Sequence, residues 1–160
     1  NACFRIETTR DIARQILRHR SFTFQEFSQR YADVSVLPKL SFRQARAQDP
    51  KNRQNSLPME NEAIAATWEA VQRGVYDNAI AAYRWALDAG IAKEVARAIL
   101  PEGLTPSALY MNGTIRSWIH YTQLRTGNGT QREHMEIAKA IESVLAKECP
   151  TIWRSLENES

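Results

Sequence analysis

Residues 18–31 read Arg-His-Arg-Ser-Phe-Thr-Phe-Gln-Glu-Phe-Ser-Gln-Arg-Tyr and are the most informative stretch of the chain. The Arg and His side chains and the Ser28 hydroxyl are donors suited to phosphate oxygens. Four aromatic rings add flat apolar surface, and Glu26 can accept hydrogen bonds from an arginine or from ribose hydroxyls. Taken alone, these residues predict either a site for a phosphorylated aromatic ligand or a solvated basic turn beside core aromatics.

A strand and a helix precede this stretch. Residues 2–7 alternate between apolar and polar side chains, which is typical of a strand. Apolar residues then recur at helical spacing, namely Ile12, Ala13, Ile16 and Leu17. Arginines at positions 10, 14 and 18 form a separate basic side of this helix, and Gln15 lies near Arg18. We expect the helix to anchor in a core and to present Gln15 and Arg18 to one surface.

The rest of the chain is mainly helical in pattern. Long helical periodicity covers residues 60–89, with an apolar face formed by Ile64, Trp68, Val71, Val75 and Ala79. Shorter helices are predicted at residues 91–100, 114–125 and 131–148, and strands at residues 105–111 and near 40–46 within a long loop. The pattern predicts an α+β fold for residues 1–160, a mostly helical single domain with a small antiparallel sheet.

Composition allows a sizeable core and indicates an anionic ligand. The hydrophobic fraction is 43%, and no run of about 18 apolar residues is present, so we expect no membrane span. Residues 1–56 hold 11 Lys or Arg and 5 Asp or Glu, whereas residues 57–160 hold 10 and 13. This basic first part suits nucleic acid, a nucleotide or a phosphorylated cofactor, and charge alone does not choose among them.

Cysteine and histidine usage points to a cytoplasmic protein without a metal. Cys3 and Cys149 are the two cysteines, no secretory signal is visible, and we expect free thiols. The three histidines are far apart in sequence, and no His-Glu-x-x-His pattern occurs. We therefore expect no metal site and interpret His134 as a residue on a helix face.

The spacing of the motifs resembles that of the flavin-dependent thymidylate synthases. Arg-His-Arg, seven residues and then Ser28 match the signature of this family, and Gln15, Glu26, Arg30 and Tyr31 occupy its positions. The similarity extends from Phe4 to about Ile152, and its details are closest to viral or phage members.

Two further segments carry the resemblance. Residues 96–101 resemble the family pattern Ala-Arg-x-x-Leu-Pro, and residues 116–125 with Gln131 resemble Arg-Ser-Leu…Leu-Arg…Ala-Gln. Gln25 stands where members usually have Asn, and Thr114 and His120 stand where many have Asn. These departures concern individual flavin contacts rather than the overall match.

The resemblance implies a reaction and its cofactors. Family members convert dUMP to dTMP, with methylenetetrahydrofolate as one-carbon donor, FAD as the hydride-transferring cofactor and NADPH as reductant. It implies that the dUMP-binding residues are Gln15, Arg18, Glu26, Ser28, Arg30, Arg97 and Arg125. It implies that the FAD-binding residues are Arg18, His19, Arg20, Glu26, Arg116 and His120. Arg125 would be catalytic, because its guanidinium can stabilise negative charge on the uracil ring.

The family comparison also raises expectations about assembly and length. Members are homotetramers with sites shared between subunits, so we expect dUMP, folate and NADPH as ligands and no nucleic acid or membrane partner. Members also have roughly sixty residues before this starting point, with a flavin-contacting histidine segment, so we expect that segment to be missing here. Two alternatives remain open: an inactive or truncated member that only binds nucleotide, and a basic nucleic-acid-binding module. The expected location is the cytoplasm, or the host cytoplasm for a viral or phage source.

Overall fold

The computed structural model describes residues 1–37, 42–127 and 129–157. One antiparallel sheet has three strands in the order β1 (Ala2–Thr9), β5 (Pro106–Gly113), β2 (Thr23–Glu26), and a separate hairpin joins β3 (Arg46–Gln48) to β4 (Ser56–Pro58). The helices are α1 (Arg10–Ile16), α2 (Glu62–Asp88), α3 (Lys93–Ala96), α4 (Ile115–Arg125), α5 (Arg132–Glu148) and α6 (Pro150–Glu157). Short 3-10 turns cover Val34–Val36 and Arg97–Ile99. The α+β prediction is confirmed.

The central strand β5 pairs with both strands of the amino-terminal part of the chain, β1 and β2. Strand β1 pairs with it from Ala2 opposite Gly113 to Thr9 opposite Pro106, and β2 pairs along its other edge. Of the two outer strands, β1 was predicted from the sequence. The four-residue β2, with three exposed positions, was not predicted. The turn that carries the Arg-His-Arg motif therefore lies between α1 and an edge strand of the sheet.

The main core lies between this sheet and helices α1, α4 and α5. Ile12, Ile16, Met111 and Trp118 are fully buried there. The indole N–H of Trp118 donates to the Ala2 carbonyl oxygen at 3.1 Å, so the buried ring leaves no unpaired donor. The predicted apolar side of α1 is confirmed, and it fixes the orientation of the polar side of the same helix.

A second cluster packs the carboxyl-terminal half of α2 against α3 and the Val34 turn. Tyr83, Ala86, Ala96 and Leu100 are buried in it. Helix α2 begins at an Asn61 cap and ends in a Schellman motif, in which the Gly90 N–H donates to Leu87 and the Ile91 N–H to Ala86. Gly90 has φ +82°, the left-handed conformation that this motif requires.

The apolar face predicted for α2 is partly exposed in its first half. Ile64, Trp68, Val71 and Val75 are each between 42% and 49% exposed in the single chain. Helical periodicity identifies an apolar face without identifying what covers it. The result is an extended apolar row on one side of α2.

Other boundaries also differ from the predictions. The expected strand near 40–46 begins only at Arg46; residues 42–45 have no regular structure, and residues 40 and 41 lie outside the described part of the chain. Helix α5 ends at Glu148, as predicted, but Pro150 begins a further helix, α6, that was not predicted; a first-turn proline is tolerated there because it has no N–H to leave unpaired. Among the described helices, none has the length and apolar character required to cross a bilayer.

Candidate anion-binding site

Helices α1 and α4 deliver three of the predicted site residues to one cavity. Gln15, Arg18 and Arg125 line an open cavity of about 540 Å³. Gln15 and Arg18 lie at and just beyond the end of α1, and Arg125 is the last residue of α4. The buried side of α1 fixes the rotation of this helix, because Ile12 and Ile16 lie in the core and Gln15 and Arg18 are left to line the cavity beside Arg125.

The charges of this cavity do not balance. Its other lining residues, Arg14, Asp11 and Glu102, have partners: Arg14 pairs with Glu102 at 2.5 Å, and Asp11 pairs with Arg43 at 2.8 Å. Arg18 and Arg125 form no ion pair within the described part of the chain. The cavity therefore holds two uncompensated guanidinium groups, which favour an anionic ligand.

His19 holds Arg125 in place. The Arg125 Nε–H donates to His19 Nε2 at 3.0 Å, which leaves both terminal nitrogens of the guanidinium available to a ligand. Burial, together with the nearby charges of Arg125 and His120, lowers the pKa of His19 to about 4. A neutral His19 is the form that can accept this bond, so the low pKa and the hydrogen bond support each other.

A buried hydrogen-bonded pair lies behind the cavity. His134 Nε2 and the Tyr121 hydroxyl are 3.0 Å apart, and His134 Nδ1 lies 3.4 Å from Gln15 Oε1. His134 is 1% exposed and Tyr121 is fully buried. The expectation that His134 lies on a helix face holds, but the face is the buried one of α5. Sequence reasoning missed this role because a histidine at helical spacing gives no sign of which side packs inward.

Four other predicted dUMP residues lie elsewhere. Arg30 pairs with the Glu94 carboxylate at 3.4 Å, and Arg97 Nε donates to the Glu94 carbonyl oxygen at 3.3 Å. Ser28 is exposed in the segment just before Arg30, and the Ser107 hydroxyl donates to Glu26 at 3.0 Å. No hydrogen bond or ion pair in the described residues joins these four to Gln15, Arg18 or Arg125.

The predicted FAD residues are mostly exposed donors. Arg18, Arg20 and Arg116 are exposed, and none of the three forms a salt bridge with the described residues. His120 lies one turn after Arg116 on α4 and is exposed as well. Such unpaired cations fit a phosphate-bearing cofactor. Thr114, at a position where the family often has Asn, caps α4 by accepting from the Ser117 N–H at 3.1 Å.

Sequence reasoning missed Arg43, Arg46 and Glu133, which support the cavity. Arg46 donates to Glu133 at 2.7 Å, and Arg43 contacts Asp11 from the loop before β3. These arginines lie in the long loop that the sequence predicts around residues 40–46, and their partners Asp11 and Glu133 are 32 and 87 positions away in sequence. Among the described residues, no group of three or more His, Cys, Asp or Glu side chains is arranged to hold a metal ion.

The fold and this cavity define an α+β protein with a cationic cavity, and comparison with known proteins identifies its family. Residues 1–151 match the family described as thymidylate synthase complementing protein. The chain is 53% identical over 152 residues to a probable flavin-dependent thymidylate synthase of Paramecium bursaria Chlorella virus 1, covering 95% of the chain and 69% of that relative. It is 49% identical, with the same coverage, to the flavin-dependent thymidylate synthase of a Synechocystis species.

A solved structure agrees with these relatives. The UMP/dUMP methylase PolB from Streptomyces cacaoi, bound with 5-Br UMP, superposes with a TM-score of 0.77 at 27% identity, covering 91% of this chain and 68% of that one. The chain belongs to the flavin-dependent thymidylate synthase family. The similarity to a viral relative accords with the viral or phage character of its motifs.

Proposed function

We propose that this protein catalyses the reductive methylation of dUMP to dTMP. Methylenetetrahydrofolate supplies the one-carbon unit, FAD is the cofactor and NADPH is the reductant. The observation that carries the proposal is the cavity in which Gln15, Arg18 and Arg125 converge while both guanidinium groups lack an acidic partner among the described residues. Two relatives are named flavin-dependent thymidylate synthases, and a similar solved structure is described as a UMP/dUMP methylase.

The dUMP site combines both groups of residues. Gln15, Ser28, Arg30 and Arg97 hold the phosphate and sugar, and their donors suit anionic and hydroxyl oxygens. Arg18 and Glu26 lie close to both the nucleotide and the cofactor in this arrangement. Arg30 pairs with the Glu94 carboxylate and Arg97 donates to the Glu94 carbonyl oxygen, so a bound phosphate would compete with the carboxylate for Arg30 and with the backbone carbonyl for Arg97.

Arg125 is the catalytic residue in this proposal. His19 accepts a hydrogen bond from the Arg125 Nε–H, so the terminal nitrogens face the ligand as a fixed pair of donors. Donors held in place before reaction stabilise developing negative charge without reorganisation, here on the pyrimidine carbonyl. No protein nucleophile is required, and neither Cys3 nor Cys149 lines the cavity.

FAD would be held by residues around the same region. The exposed cations Arg18, Arg20 and Arg116 would contact its phosphates, and the neutral, half-buried His19 would contact the cofactor as well, with His120 and Glu26 nearby. When bound, FAD supplies the hydride that completes the methyl group. The chain's own residues bind and orient the nucleotide against it and keep the cavity cationic.

We also propose a homotetramer with sites shared between subunits. Within the described part of one chain, no hydrogen bond or ion pair joins the two groups of dUMP residues, and the exposed apolar row of α2 offers a surface for a second copy. The two free cysteines accord with a cytoplasmic location, or the host's cytoplasm for a viral or phage source.

The first test is a visible spectrum followed by a turnover assay. The purified protein is expected to show flavin absorbance that bleaches with NADPH and to form dTMP only when dUMP, methylenetetrahydrofolate and NADPH are all present. A matched reaction without folate should form none. A protein that takes up FAD and binds dUMP but forms no dTMP would replace this proposal with a nucleotide-binding role.

A further inference from the structure

A directional chain of hydrogen bonds runs behind the cavity. Glu133 accepts from Arg46 at 2.7 Å and from Gln131 Nε2 at 3.0 Å. An ionised carboxylate can only accept, so the Gln131 amide must turn its nitrogen toward Glu133. The pKa of Glu133 is lowered, because hydrogen bonds from Arg46 and Gln131 outweigh the opposing effect of burial, which agrees with an ionised group.

The orientation of Gln131 fixes that of Gln15. With its nitrogen toward Glu133, Gln131 presents Oε1 to Gln15, whose Nε2 lies 2.7 Å away and must donate. Gln15 Oε1 then lies 3.4 Å from His134 Nδ1, and two acceptors cannot face each other there. His134 must therefore carry its hydrogen on Nδ1.

The tautomer of His134 in turn fixes Tyr121. A neutral ring with hydrogen on Nδ1 has a lone pair on Nε2, so the Tyr121 hydroxyl at 3.0 Å donates to it. Burial lowers the pKa of His134 to about 4, and burial raises the pKa of Tyr121. Both groups are thus in the protonation states that the chain of hydrogen bonds requires at neutral pH.

This series of hydrogen bonds determines which atom of the Gln15 amide faces the cavity. Its oxygen is turned inward to His134, and its nitrogen has a second hydrogen beyond the one given to Gln131. A flipped amide would present an oxygen, which repels an anionic oxygen of a ligand. The observed orientation therefore offers the ligand a hydrogen-bond donor, whereas the flipped orientation would place an acceptor against the ligand's oxygen.

We propose that Tyr121 and His134 are positioning residues of the nucleotide site, which hold the Gln15 amide with its donor toward an oxygen of the bound nucleotide. This inference rests on the proposed function, since it takes Gln15 to contact dUMP. Neither residue was assigned a role by the motif comparison, and neither lines the cavity itself. They act on the ligand only through Gln15.

Three variants at one position separate positioning from packing. His134→Phe keeps a ring but has no donor, and the dissociation constant of dUMP, measured by titration calorimetry, should rise about tenfold. His134→Asn places an amide near the position of Nδ1 and should retain most of the affinity, whereas His134→Gln reaches toward the position of Nε2 and should not. KM for dUMP should follow the same order, with kcat changed far less.

Tyr121→Phe tests the last hydrogen bond of this series, which the Tyr121 hydroxyl donates to His134. It should weaken dUMP binding by a few-fold, and the double variant with His134→Phe should bind no more weakly than His134→Phe alone, because both changes release the same amide. Additive losses in the double variant would contradict a shared path through Gln15.

The wild-type protein gives a test that does not depend on any variant folding. The ¹⁵N shifts of the His134 ring should report hydrogen on Nδ1 in the absence of ligand. Hydrogen on Nε2 would overturn the inference. Wild-type protein that binds dUMP with the same affinity as His134→Phe would also overturn it, whereas wild-type protein that binds no dUMP would overturn the proposed function and the inference with it.

Discussion

At the residue scale, the position of Arg125 depends on a neutral histidine. His19 accepts the Arg125 Nε–H at 3.0 Å, and its pKa of about 4 keeps it unprotonated through the physiological range. A protonated His19 could not accept this bond and would repel the guanidinium. In the Arg-His-Arg motif, two exposed arginines therefore flank a half-buried histidine ring. That ring orients a third cation, Arg125 of α4.

Replacing Arg125 tests its catalytic assignment. Arg125→Ala is expected to lower kcat/KM for dUMP by at least about 100-fold, because a preorganised charge facing the reacting ring is lost. Thermal unfolding should change little, since the side chain lines an open cavity. Arg154→Ala, an exposed arginine on α6, is the matched control and should retain activity. Wild-type turnover by Arg125→Ala would contradict the assignment.

Glu133 gives stability a defined pH dependence. Its pKa lies below the ordinary value of 4.5, so its contribution is present above about pH 4.5 and is lost as the pH falls through the folded-state pKa. Glu133→Gln should therefore destabilise the protein by about 1–2 kcal/mol near pH 7 and by progressively less as the pH falls through the folded-state pKa of Glu133. Chemical denaturation at several pH values measures this.

The exposed pair on the same helix is the control for Glu133. Arg132 and Glu136 are 2.8 Å apart, but their side chains are 50% and 60% exposed. Glu136→Gln should cost less than about 0.5 kcal/mol at any pH, because solvent screens such a pair. Equal effects of the two substitutions would show that the Arg46–Glu133 contact does not stabilise the fold.

At the element scale, the end of β5 makes room for the aromatic residue that follows the Arg-His-Arg motif. A Cβ at Gly113 would lie 2.5 Å from Phe22 Cδ1, and the Phe22 ring centroid is 4.6 Å from that of Trp118. The Phe22 N–H donates to the His19 carbonyl at 3.3 Å. The end of strand β5, the buried Phe22 ring and the turn that carries the Arg-His-Arg motif are therefore in direct contact.

Alanine substitutions at two glycines should have opposite effects. Gly113→Ala is expected to destabilise the fold by about 1–3 kcal/mol, because the added methyl overlaps a packed ring. Gly74→Ala should stabilise it by about 0.5–1 kcal/mol, because nothing lies within 4 Å of the new Cβ inside helix α2. Thermal or chemical unfolding distinguishes them, and an unaffected Gly113→Ala would contradict the close packing of Phe22.

The apolar row of α2 predicts an assembly phenotype. Val71→Glu should lower the oligomeric state measured by light scattering, because it places a charge in the row formed with Ile64, Trp68 and Val75. Ala70→Glu is the matched control, since the neighbouring position points about 100° away around the helix. Identical masses for both variants and wild type would mean that this row is not the subunit interface.

At the scale of the whole molecule, the separation of the two residue groups predicts complementation. Arg125→Ala and Arg97→Ala should each be inactive, but co-expressed chains should regain about a quarter of wild-type activity if random assembly places the two intact groups of a site on different subunits. Each variant co-expressed with a differently tagged copy of itself is the control. Mixed assemblies as inactive as the single variants would show that one chain supplies both groups.

Much of the fold could be predicted because local patterns and tertiary packing agree. The strands β1 and β5 and the helices α1, α2, α4 and α5 follow from alternation, periodicity and caps close in sequence. Strand β2 and the β3–β4 hairpin could not be predicted, because strands of four and three residues have too few apolar positions to show a period. Their pairing is decided by distant partners.

The sequence by itself determined the α+β class, the positions of the main helices and, through motif spacing, the family and the candidate residues. Only the tertiary structure decided that Gln15, Arg18 and Arg125 share a cavity, that His134 is buried against Tyr121 and that Arg30 and Arg97 meet at Glu94. The physical reason is that spacing and periodicity are local, whereas hydrogen bonds and charge balance depend on groups brought together from distant parts of the chain.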